Sequence, residues 1–182
     1  MSQISFHFIH NRKEFYEPLT ELLNKQWPRS SSSRLVTIEK SNDELPLYLI
    51  MLIDDHLLVG CIMISRVLNS QIEKSILIEN VLVDDKYRGK GYGRLLMSES
   101  ECIAKEKGYE TSYLSTNDKQ DFYSKLGYCE CEPLIQSAFS TSSEDTESLN
   151  PLLRLFGGGG GNLKKTTPQA TWMKKALNTQ SS

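Results

Sequence analysis

The amino-acid sequence predicts one α/β domain with a sheet of about seven strands flanked by helices. Seven short apolar segments show the alternation or the β-branched composition of strands, and two longer segments repeat apolar residues at helical spacing. A dense cluster of glycines and cations separates the fourth strand from the second of these helices. The 182 residues and the 38% hydrophobic content suffice for a single core.

The N-terminal half is predicted to hold three strands and one helix. Residues 4–8 alternate polar and apolar side chains as a strand does, and residues 13–25 form a helix with one apolar side. Residues 27–34 (WPRSSSSR) follow as a polar, serine-rich connection. The strands at residues 45–54 and 57–68 are joined by a tight turn, so we expect an antiparallel hairpin.

The C-terminal half alternates strands and helices around a long polar segment. The predicted elements are a strand at residues 76–83, a helix from the glycine cluster to about Lys107, a strand at 111–116, a short helix capped by Asn117 and Asp118, and strands at 129–139 and 170–175. The long helix is expected to bury a stripe of five residues: Tyr92, Leu95, Leu96, Cys102 and Ile103. Residues 140–167 contain many serines, acidic residues and five consecutive glycines, which predicts a flexible insertion between the last two strands.

The glycine cluster at residues 88–94 (RGKGYGR) predicts a pyrophosphate site. Glycines let the backbone approach a ligand, and the unpaired amides of a helix N-terminus attract anions. A P-loop would need Ser or Thr after Gly-Lys, but Gly91 follows Lys90. A dinucleotide fingerprint would need glycine where Arg94 stands. The alternative is a tight turn whose cations are solvated.

A second motif, FYSKLGY at residues 122–128, lies about thirty residues downstream of the glycine cluster. Phe122 and Leu126 are expected to be core residues at helical spacing. The pattern R-x-x-G-x-G at residues 88–93 together with this second motif resembles the GNAT N-acetyltransferases. The resemblance covers most of the chain. It implies a single GNAT domain over residues 1–182, with a mixed, mostly antiparallel twisted sheet, and acetyl-CoA as co-substrate without a metal.

The resemblance also implies which residues bind the cofactor. The backbone of Val81, Leu82 and Val83 would hold the pantetheine arm, and the side chain of Asn117 would assist, with a helix N-cap as the alternative role for Asn117. The pyrophosphate would lie against the glycine cluster, formed by Arg88, Gly89, Lys90, Gly91, Tyr92, Gly93 and Arg94.

Tyr123 and Glu79 are the predicted catalytic residues. In the family a phenol at the position of Tyr123 lies near the sulfur, and a tyrosine is protonated at pH 7 and is able to donate to a forming thiolate. Packing alone is the alternative for Tyr123. Glu79 lies in an apolar run with the same predicted strand parity as Val81 and Val83, so it is a candidate base acting through water; pairing with a neighbouring cation is the alternative. Deprotonation at pH 7 costs about 1.4 kcal/mol for an α-amine and roughly 4 to 5 kcal/mol for a lysine, so a weak base fits a peptide N-terminus.

The connection at residues 27–34 is the predicted acceptor site. Its candidate substrate-binding residues are Trp27, Arg29, Ser32, Ser33 and Arg34. A tryptophan forms a wall for a peptide, and arginines pair with carboxylates; a disordered basic loop with Trp27 under the sheet is the alternative. This segment and the two motifs resemble the branch of the family that acetylates the processed, acidic N-terminus of actin, which implies actin as partner. Animal members can carry a proline-rich insertion that recruits profilin; the glycine-rich insertion here weighs against profilin.

Composition argues against several other functions. The net charge of -2 and the pI near 6.0 give no general attraction to nucleic acid or to an anionic membrane. The longest apolar run, at residues 45–53, is too short to span a bilayer, and the start of the chain does not resemble a signal peptide. The four cysteines and three histidines show no metal-site spacing, so we expect reduced thiols in the cytoplasm. Two other functions stay open: acetylation of a small-molecule amine and CoA binding without catalysis.

Overall fold

A computed structural model describes residues 3–67, 72–134 and 170–177, which form one sheet with helices on its two faces. The strands are β1 (Ile4–Phe8), β2 (Leu47–Ile53), β3 (Leu57–Arg66), β4 (Ser75–Val83), β5 (Thr111–Thr116), β6 (Cys129–Glu130) and β7 (Thr171–Ala176). The helices are α1 (Tyr16–Gln26), α2 (Ser31–Glu39), α3 (Tyr92–Glu106) and α4 (Gln120–Ser124), with 3-10 turns at Ile9–Asn11, Lys13–Phe15 and Asp85–Tyr87. The predicted insertion at residues 140–167 and the expected strand residues 135–139 lie outside these ranges.

The seven strands are arranged in the order β1-β2-β3-β4-β5-β7-β6. Neighbouring strands are antiparallel except β4 and β5, which are parallel. The turn between β2 and β3 has positive φ angles at Asp54 and Asp55, as a tight hairpin requires. This topology confirms the predicted mixed, mostly antiparallel sheet.

The sheet opens between β4 and β5. Their pairing runs from Ser75 opposite Thr111 to Ile78 opposite Leu114 and then ends. Beyond that point β4 continues beside β3 as far as Val83, while β5 continues beside β7. The carboxyl ends of the two parallel strands therefore separate, which leaves space beside the second half of β4.

A bulge at Asn80 accompanies this opening. Asn80 has a φ of 52°, and the register between β3 and β4 shifts between Cys61 and Met63. The side-chain amide of Asn80 donates a 2.8 Å hydrogen bond to the hydroxyl of Tyr48, which is 1% exposed. The bulge is therefore held by a side chain of β2, which reaches Asn80 across β3 of the same sheet.

The bulge overturns the predicted strand parity of Glu79. Glu79 is the cross-strand partner of Met63 and bonds Ser65, so it lies on the face covered by α1 and α2. Val81 packs against the core on the opposite face, beneath α3. One extra residue between Glu79 and Val81 breaks the alternation on which the prediction was based.

The two helical layers bury different faces of the sheet. α3 buries Leu96, Met97, Ile103 and Ala104 against the larger core. Leu95 and Cys102, which were predicted to be in the buried stripe, are exposed because the buried face is rotated toward Ser100 and Glu101. The opposite face is covered by residues of α1 and α2, chiefly Leu19, Leu22, Leu23 and Ile38.

The segment after α1 differs from the predicted polar connection, because its second half, from Ser31, is the start of α2. The hydroxyl of Ser30 accepts a 3.3 Å hydrogen bond from the amide of Ser33 and caps α2. Arg34 and Ile38, one helical turn apart, are both buried and hold α2 on the sheet. The predicted helix at residues 13–25 is present as a 3-10 turn followed by α1.

Replacement of Tyr48 by Phe tests how the bulge is held. The change removes the acceptor of the Asn80 amide, so we expect a loss of about 1 to 3 kcal/mol in the free energy of unfolding, measured by urea denaturation. Tyr16→Phe is the matched control, because Tyr16 packs against the same core without a described bond to the bulge. Equal stability of the two variants would show that the Tyr48 hydroxyl does not hold the bulge.

Candidate functional site

A cavity of about 430 Å³ lies in the opening between β4 and α4. Most of the predicted cofactor residues line it: Val81, Val83, Arg88, Gly89, Gly91, Tyr92, Gly93, Arg94 and Tyr123. Lys119 and Phe122 also line it and were not predicted as site residues. The side chain of Leu82 instead points into the core under α1, so only its backbone belongs to this region of β4. Lys90 is exposed, with its ammonium 5.4 Å from the centre of the Tyr87 ring.

The glycine cluster forms a concave turn of free amides at one end of this cavity. Gly89 and Gly91 have φ angles of 79° and 81°, which favour glycine, and Gly91 is the N-cap of α3. Within the described ranges, the amides of Tyr92, Gly93 and Arg94 have no acceptor. A side chain at Gly93 would place its Cβ 3.3 Å from Phe122 Cζ. This arrangement fits a diphosphate, whose oxygens accept hydrogen bonds from a helix N-terminus.

The side chain of Arg88 connects the glycine cluster to its surroundings. Its Nε donates to the carbonyl oxygen of Val83 at 3.1 Å, and its Nη2 lies 2.7 Å from Asp85 Oδ1. The same nitrogen donates to Gln26 Oε1 of α1 at 3.4 Å. Arg88 therefore links the end of β4 to the end of α1, in addition to any contact with an anion.

A second cavity, of about 830 Å³, adjoins the first. Its lining residues come from the end of α1, the end of β5 and the segment before α4: Gln26, Trp27, Val81, Arg88, Ser115, Thr116, Asn117, Asp118, Lys119, Tyr123 and Ala170. Four residues line both cavities, namely Val81, Arg88, Lys119 and Tyr123. Molecules bound in the two cavities would therefore meet beside Tyr123.

Tyr123 is held firmly at this junction. It is 8% exposed, and its ring makes edge contacts with Phe122 and Tyr128 at centroid distances of 5.0 and 6.0 Å. The hydroxyls of Tyr128 and Ser112 share a 2.8 Å hydrogen bond, which holds the Tyr128 ring in place against Tyr123. Burial, and secondarily the negative charge of Asp118, raises the pKa of Tyr123 to about 12. The phenol is therefore protonated at neutral pH.

Asn117 is not the N-cap of α4. The hydroxyl of Thr116 accepts a 3.1 Å hydrogen bond from the Lys119 amide, and the helix starts only at Gln120 without a side-chain cap. The alternative role predicted for Asn117 is therefore wrong, because α4 begins two residues later than expected. Asn117 is exposed and lines the second cavity, where its contact with a ligand stays a prediction.

Glu79 lies outside the lining of both cavities. It is half-buried, and its Oε2 accepts a 3.0 Å hydrogen bond from the Ser65 hydroxyl. A proton would have to reach it from the junction around the edge of β4, through water. Its role as base stays a prediction.

The predicted acceptor residues occupy three different environments. Trp27 is 39% exposed and lines the second cavity. Arg29, Ser32 and Ser33 are exposed on the turn and first helical residues that follow, without lining a cavity. Arg34 is buried between α1 and α2 and does not line either cavity.

In the three described ranges, no group of three or more His, Cys, Asp or Glu side chains could hold a metal ion. Nor does any helix of the described chain combine the length and the apolar character that a membrane span needs.

Comparison with known proteins agrees with this architecture. The family model of the acetyltransferase (GNAT) domain matches residues 46–130, which include the opening of the sheet, the glycine cluster and Tyr123. The chain carries a GNAT acetyltransferase domain. This assignment confirms the family resemblance and the fold class predicted from the sequence.

Individual relatives show how much of the chain the similarity covers. The mouse protein N-alpha-acetyltransferase 80 is 37% identical over 144 residues, which are 76% of this chain and 45% of the mouse protein. The chain thus spans less than half the length of the curated relatives it matches. A GNAT-family acetyltransferase from Staphylococcus aureus Mu50 has a TM-score of 0.66 at 19% identity, covering 97% of this chain and 100% of that one. N-acetylglutamate synthase from Neisseria gonorrhoeae has a TM-score of 0.60 at 15% identity, covering 98% of this chain and 36% of the synthase.

Sequence reasoning missed Lys119, Gln26, Ser115 and Thr116 as lining residues of the two cavities. Lys119 directly precedes α4, which carries the start of the second motif, so its closeness to that motif in the sequence was a signal that it lies at the site. No sequence signal pointed to Gln26, because its position beside Arg88 depends on how α1 crosses the sheet.

Replacement of Gly91 by Ala tests the phosphate cradle. At a φ of 81° an alanine is strained by about 1 to 2 kcal/mol, and relief of that strain would reorient the amides at the start of α3. We expect the dissociation constant of acetyl-CoA to rise at least about tenfold, as measured by titration calorimetry.

Gly108→Ala is the matched control for this variant. Gly108 has a φ of 82° and equally open surroundings, but it follows the other end of α3. It should lose similar stability and keep its affinity for acetyl-CoA. Equal affinities in the two variants would exclude the start of α3 as the phosphate site.

Proposed function

We propose that this protein transfers an acetyl group from acetyl-CoA to the α-amine of acidic protein N-termini, acting in the cytoplasm, with processed actin as its natural acceptor. The observation that carries the proposal is the junction at Tyr123, where a buried phenol lies between a cavity that includes the start of α3 and a second cavity bordered by Trp27. The likeness to the mouse N-alpha-acetyltransferase 80 supports the type of acceptor, and the sequence resemblance to the actin-specific branch supports its identity.

The donor side of the site fits coenzyme A. The Neisseria synthase with the same fold was solved in complex with coenzyme A, and the first cavity here has a free helix N-terminus for a diphosphate. The edge of β4 from Val81 to Val83 is unpaired on the side of β5 within the described residues, so its backbone would bind an extended, amide-containing arm as a neighbouring strand does. Acetyl-CoA, when bound, supplies an activated thioester.

The chain's own residues then orient the acceptor and move protons. The α-amine must be neutral to attack, and because its pKa is about 8 this costs only about 1.4 kcal/mol at pH 7. As the C–N bond forms and the C–S bond breaks, Tyr123 Oη donates its proton to the leaving sulfur, and the excess proton on nitrogen passes to water. Glu79 would receive that proton through water around the edge of β4.

The surroundings of the second cavity favour an acidic acceptor. Two cations, Arg88 and Lys119, line it together with one carboxylate, Asp118, while Asp85, which pairs with Arg88 at 2.7 Å, is not among the lining residues. Lys119 Nζ lies 2.6 Å from Asp118 Oδ2, an exposed pair that contributes little and exchanges easily for a substrate carboxylate. Arg29 adds a further exposed cation on the turn after Trp27. An exposed ion pair of this kind contributes about 0.2 to 1 kcal/mol, so the preference for an acidic acceptor would come from several such cations acting together.

The same charges weigh against the two other functions. A polyamine would face Arg88 and Lys119, which repel it. A module that only binds CoA would have no use for a buried, protonated phenol at the end of the cofactor cavity.

A panel of acceptors tests the substrate class. We expect peptides that begin with Asp-Asp-Asp to be acetylated with a higher kcat/KM than peptides beginning with Ser or Met, and spermine to be the poorest acceptor. Arg29→Glu should lower kcat/KM for the acidic peptide at least about tenfold, equivalent to about 1.4 kcal/mol, since it places a like charge beside the acceptor.

Lys40→Glu is the matched control, because Lys40 is an exposed cation at the opposite end of α2. It should leave kcat/KM unchanged. Equal rates on acidic and neutral peptides in the unmodified protein would contradict the proposed acceptor.

Replacement of Tyr123 by Phe tests the proton donor. We expect kcat to fall by about 10² to 10⁴ while the affinity for acetyl-CoA changes less than about twofold, because only the hydroxyl is lost. Tyr113→Phe, an equally buried tyrosine on β5, should retain full kcat.

The pH dependence of the unmodified protein provides a second check on Tyr123. The rate should rise through about pH 8 as the acceptor amine loses its proton and should then stay level to about pH 10. Because burial raises the pKa of Tyr123 to about 12, the phenol keeps its proton over that whole range. A decline between about pH 8 and pH 10 that is also present in Tyr123→Phe would show that a group other than this phenol is the acid.

A further inference from the structure

The turn that carries Trp27 is built around one buried cation. α1 ends at Gln26, and the amide of Trp27 donates to the carbonyl oxygen of Leu23 at 2.8 Å, so Trp27 closes the helix. The chain then reverses into Ser30, the cap of α2. Arg34 extends from α2 into the space between the two helices and is 3% exposed.

Arg34 binds this turn at two points. Its Nη2 donates to the carbonyl oxygen of Trp27 at 2.6 Å, and its Nε donates to Asn24 Oδ1 at 3.3 Å. Asn24 Oδ1 also accepts from the amide of Arg29 at 3.3 Å. The guanidinium thus holds an unpaired carbonyl at the C-terminus of α1, where the helix dipole favours a positive charge.

The charge of Arg34 is otherwise unmatched by a carboxylate. Within the described residues no Asp or Glu lies within ion-pair distance of it. Its neighbours on the sheet are Tyr48 and Cys61: burial raises the pKa of Cys61 to about 12, and the charge of Arg34 partly opposes that rise. The guanidinium of Arg34 therefore faces the protein interior, whereas a residue that binds a substrate carboxylate must face the second cavity.

We infer that Arg34 is a positioning residue that sets the orientation of Trp27 at the second cavity, and that discrimination of substrate carboxylates belongs to the exposed cations, Arg29 first among them. This rests on the proposed function for its effect on catalysis. To contact a substrate in the second cavity, Arg34 would have to leave its buried position and break its hydrogen bonds to Trp27 and Asn24. Trp27, in contrast, is already in the lining of the second cavity.

The two roles predict different effects on substrate preference. If Arg34 recognised the charge of the substrate, Arg34→Met would lose the preference for acidic over neutral peptides, measured as the ratio of their kcat/KM values. Arg34→Lys would keep that preference. A positioning residue would lower kcat/KM for both peptides by a similar factor in both variants, because lysine cannot span two acceptors as the guanidinium does. We expect a loss of about fivefold or more on each peptide, a preserved ratio, and an unchanged KM for acetyl-CoA.

Fluorescence tests the inference independently of turnover. The chain has two tryptophans, so a Trp172→Phe background leaves Trp27 as the emitter. In this background Arg34→Lys and Arg34→Met should increase acrylamide quenching of Trp27 at least about twofold. Asn24→Ala should also increase the acrylamide quenching of Trp27. It provides the test if the Arg34 replacements unfold the protein. Arg66→Lys, an exposed arginine of β3, is the control and should change nothing.

The outcomes separate this inference from the proposed function. Unchanged quenching in folded Arg34 and Asn24 variants, or a lost acidic preference in Arg34→Met that Arg34→Lys retains, would overturn the positioning role. Absence of peptide turnover in the unmodified protein would instead refute the proposed function, while the quenching result would still decide how Trp27 is held.

Discussion

The separation of β4 from β5 after Ile78 is the constraint on which the rest of the structure depends. Backbone amides and carbonyls inside a protein need hydrogen-bond partners on both sides of a strand. From Glu79 to Val83, β4 has a described strand on one side only, and the space on its other side is the first cavity. A ligand with amide groups of its own would complete this ladder, which supports the proposal that β4 binds an extended, amide-containing arm.

The same separation brings the chemical groups together. β4 leads through the turn at Asp85–Tyr87 into the start of α3, and β5 leads into α4. Because the strands are parallel, both connections leave from the same edge of the sheet. One connection supplies free amides and the other supplies Tyr123, so the distance between the phosphate cradle and the phenol is set by the width of the opening. The bulge at Asn80, held by Tyr48, lies on β4 just after its pairing with β5 ends.

Features that depend on local chemistry were predictable from the sequence. The positive φ angles at Gly89 and Gly91 and the start of α3 follow from glycine spacing alone. The bulge was not predictable, since Asn80 tolerates a left-handed conformation but nothing near it shows that it adopts one. Because the bulge breaks the alternation of side chains, the predicted face of Glu79 was wrong as well.

The region around α2 shows a second limit. Serines at positions 31–33 resemble a linker, and only the buried pair of Arg34 and Ile38 reveals a helix that packs on the sheet. An arginine in a polar segment is expected at the surface, and its burial depends on a carbonyl at the end of another helix. Such long-range pairings carry no sequence pattern.

The position of β7 between β5 and β6 has a consequence for how this fold varies. The amide of Cys131 donates to the carbonyl oxygen of Trp172 at 2.9 Å, so the two ends of the intervening segment are fastened side by side, whatever that segment contains. Lengthening a chain between fastened ends costs only about 0.6 kcal/mol for each doubling. This edge of the domain therefore tolerates a longer or a different segment, and because Ala170 at the end of that segment lines the second cavity, such a segment would border the acceptor side of the site.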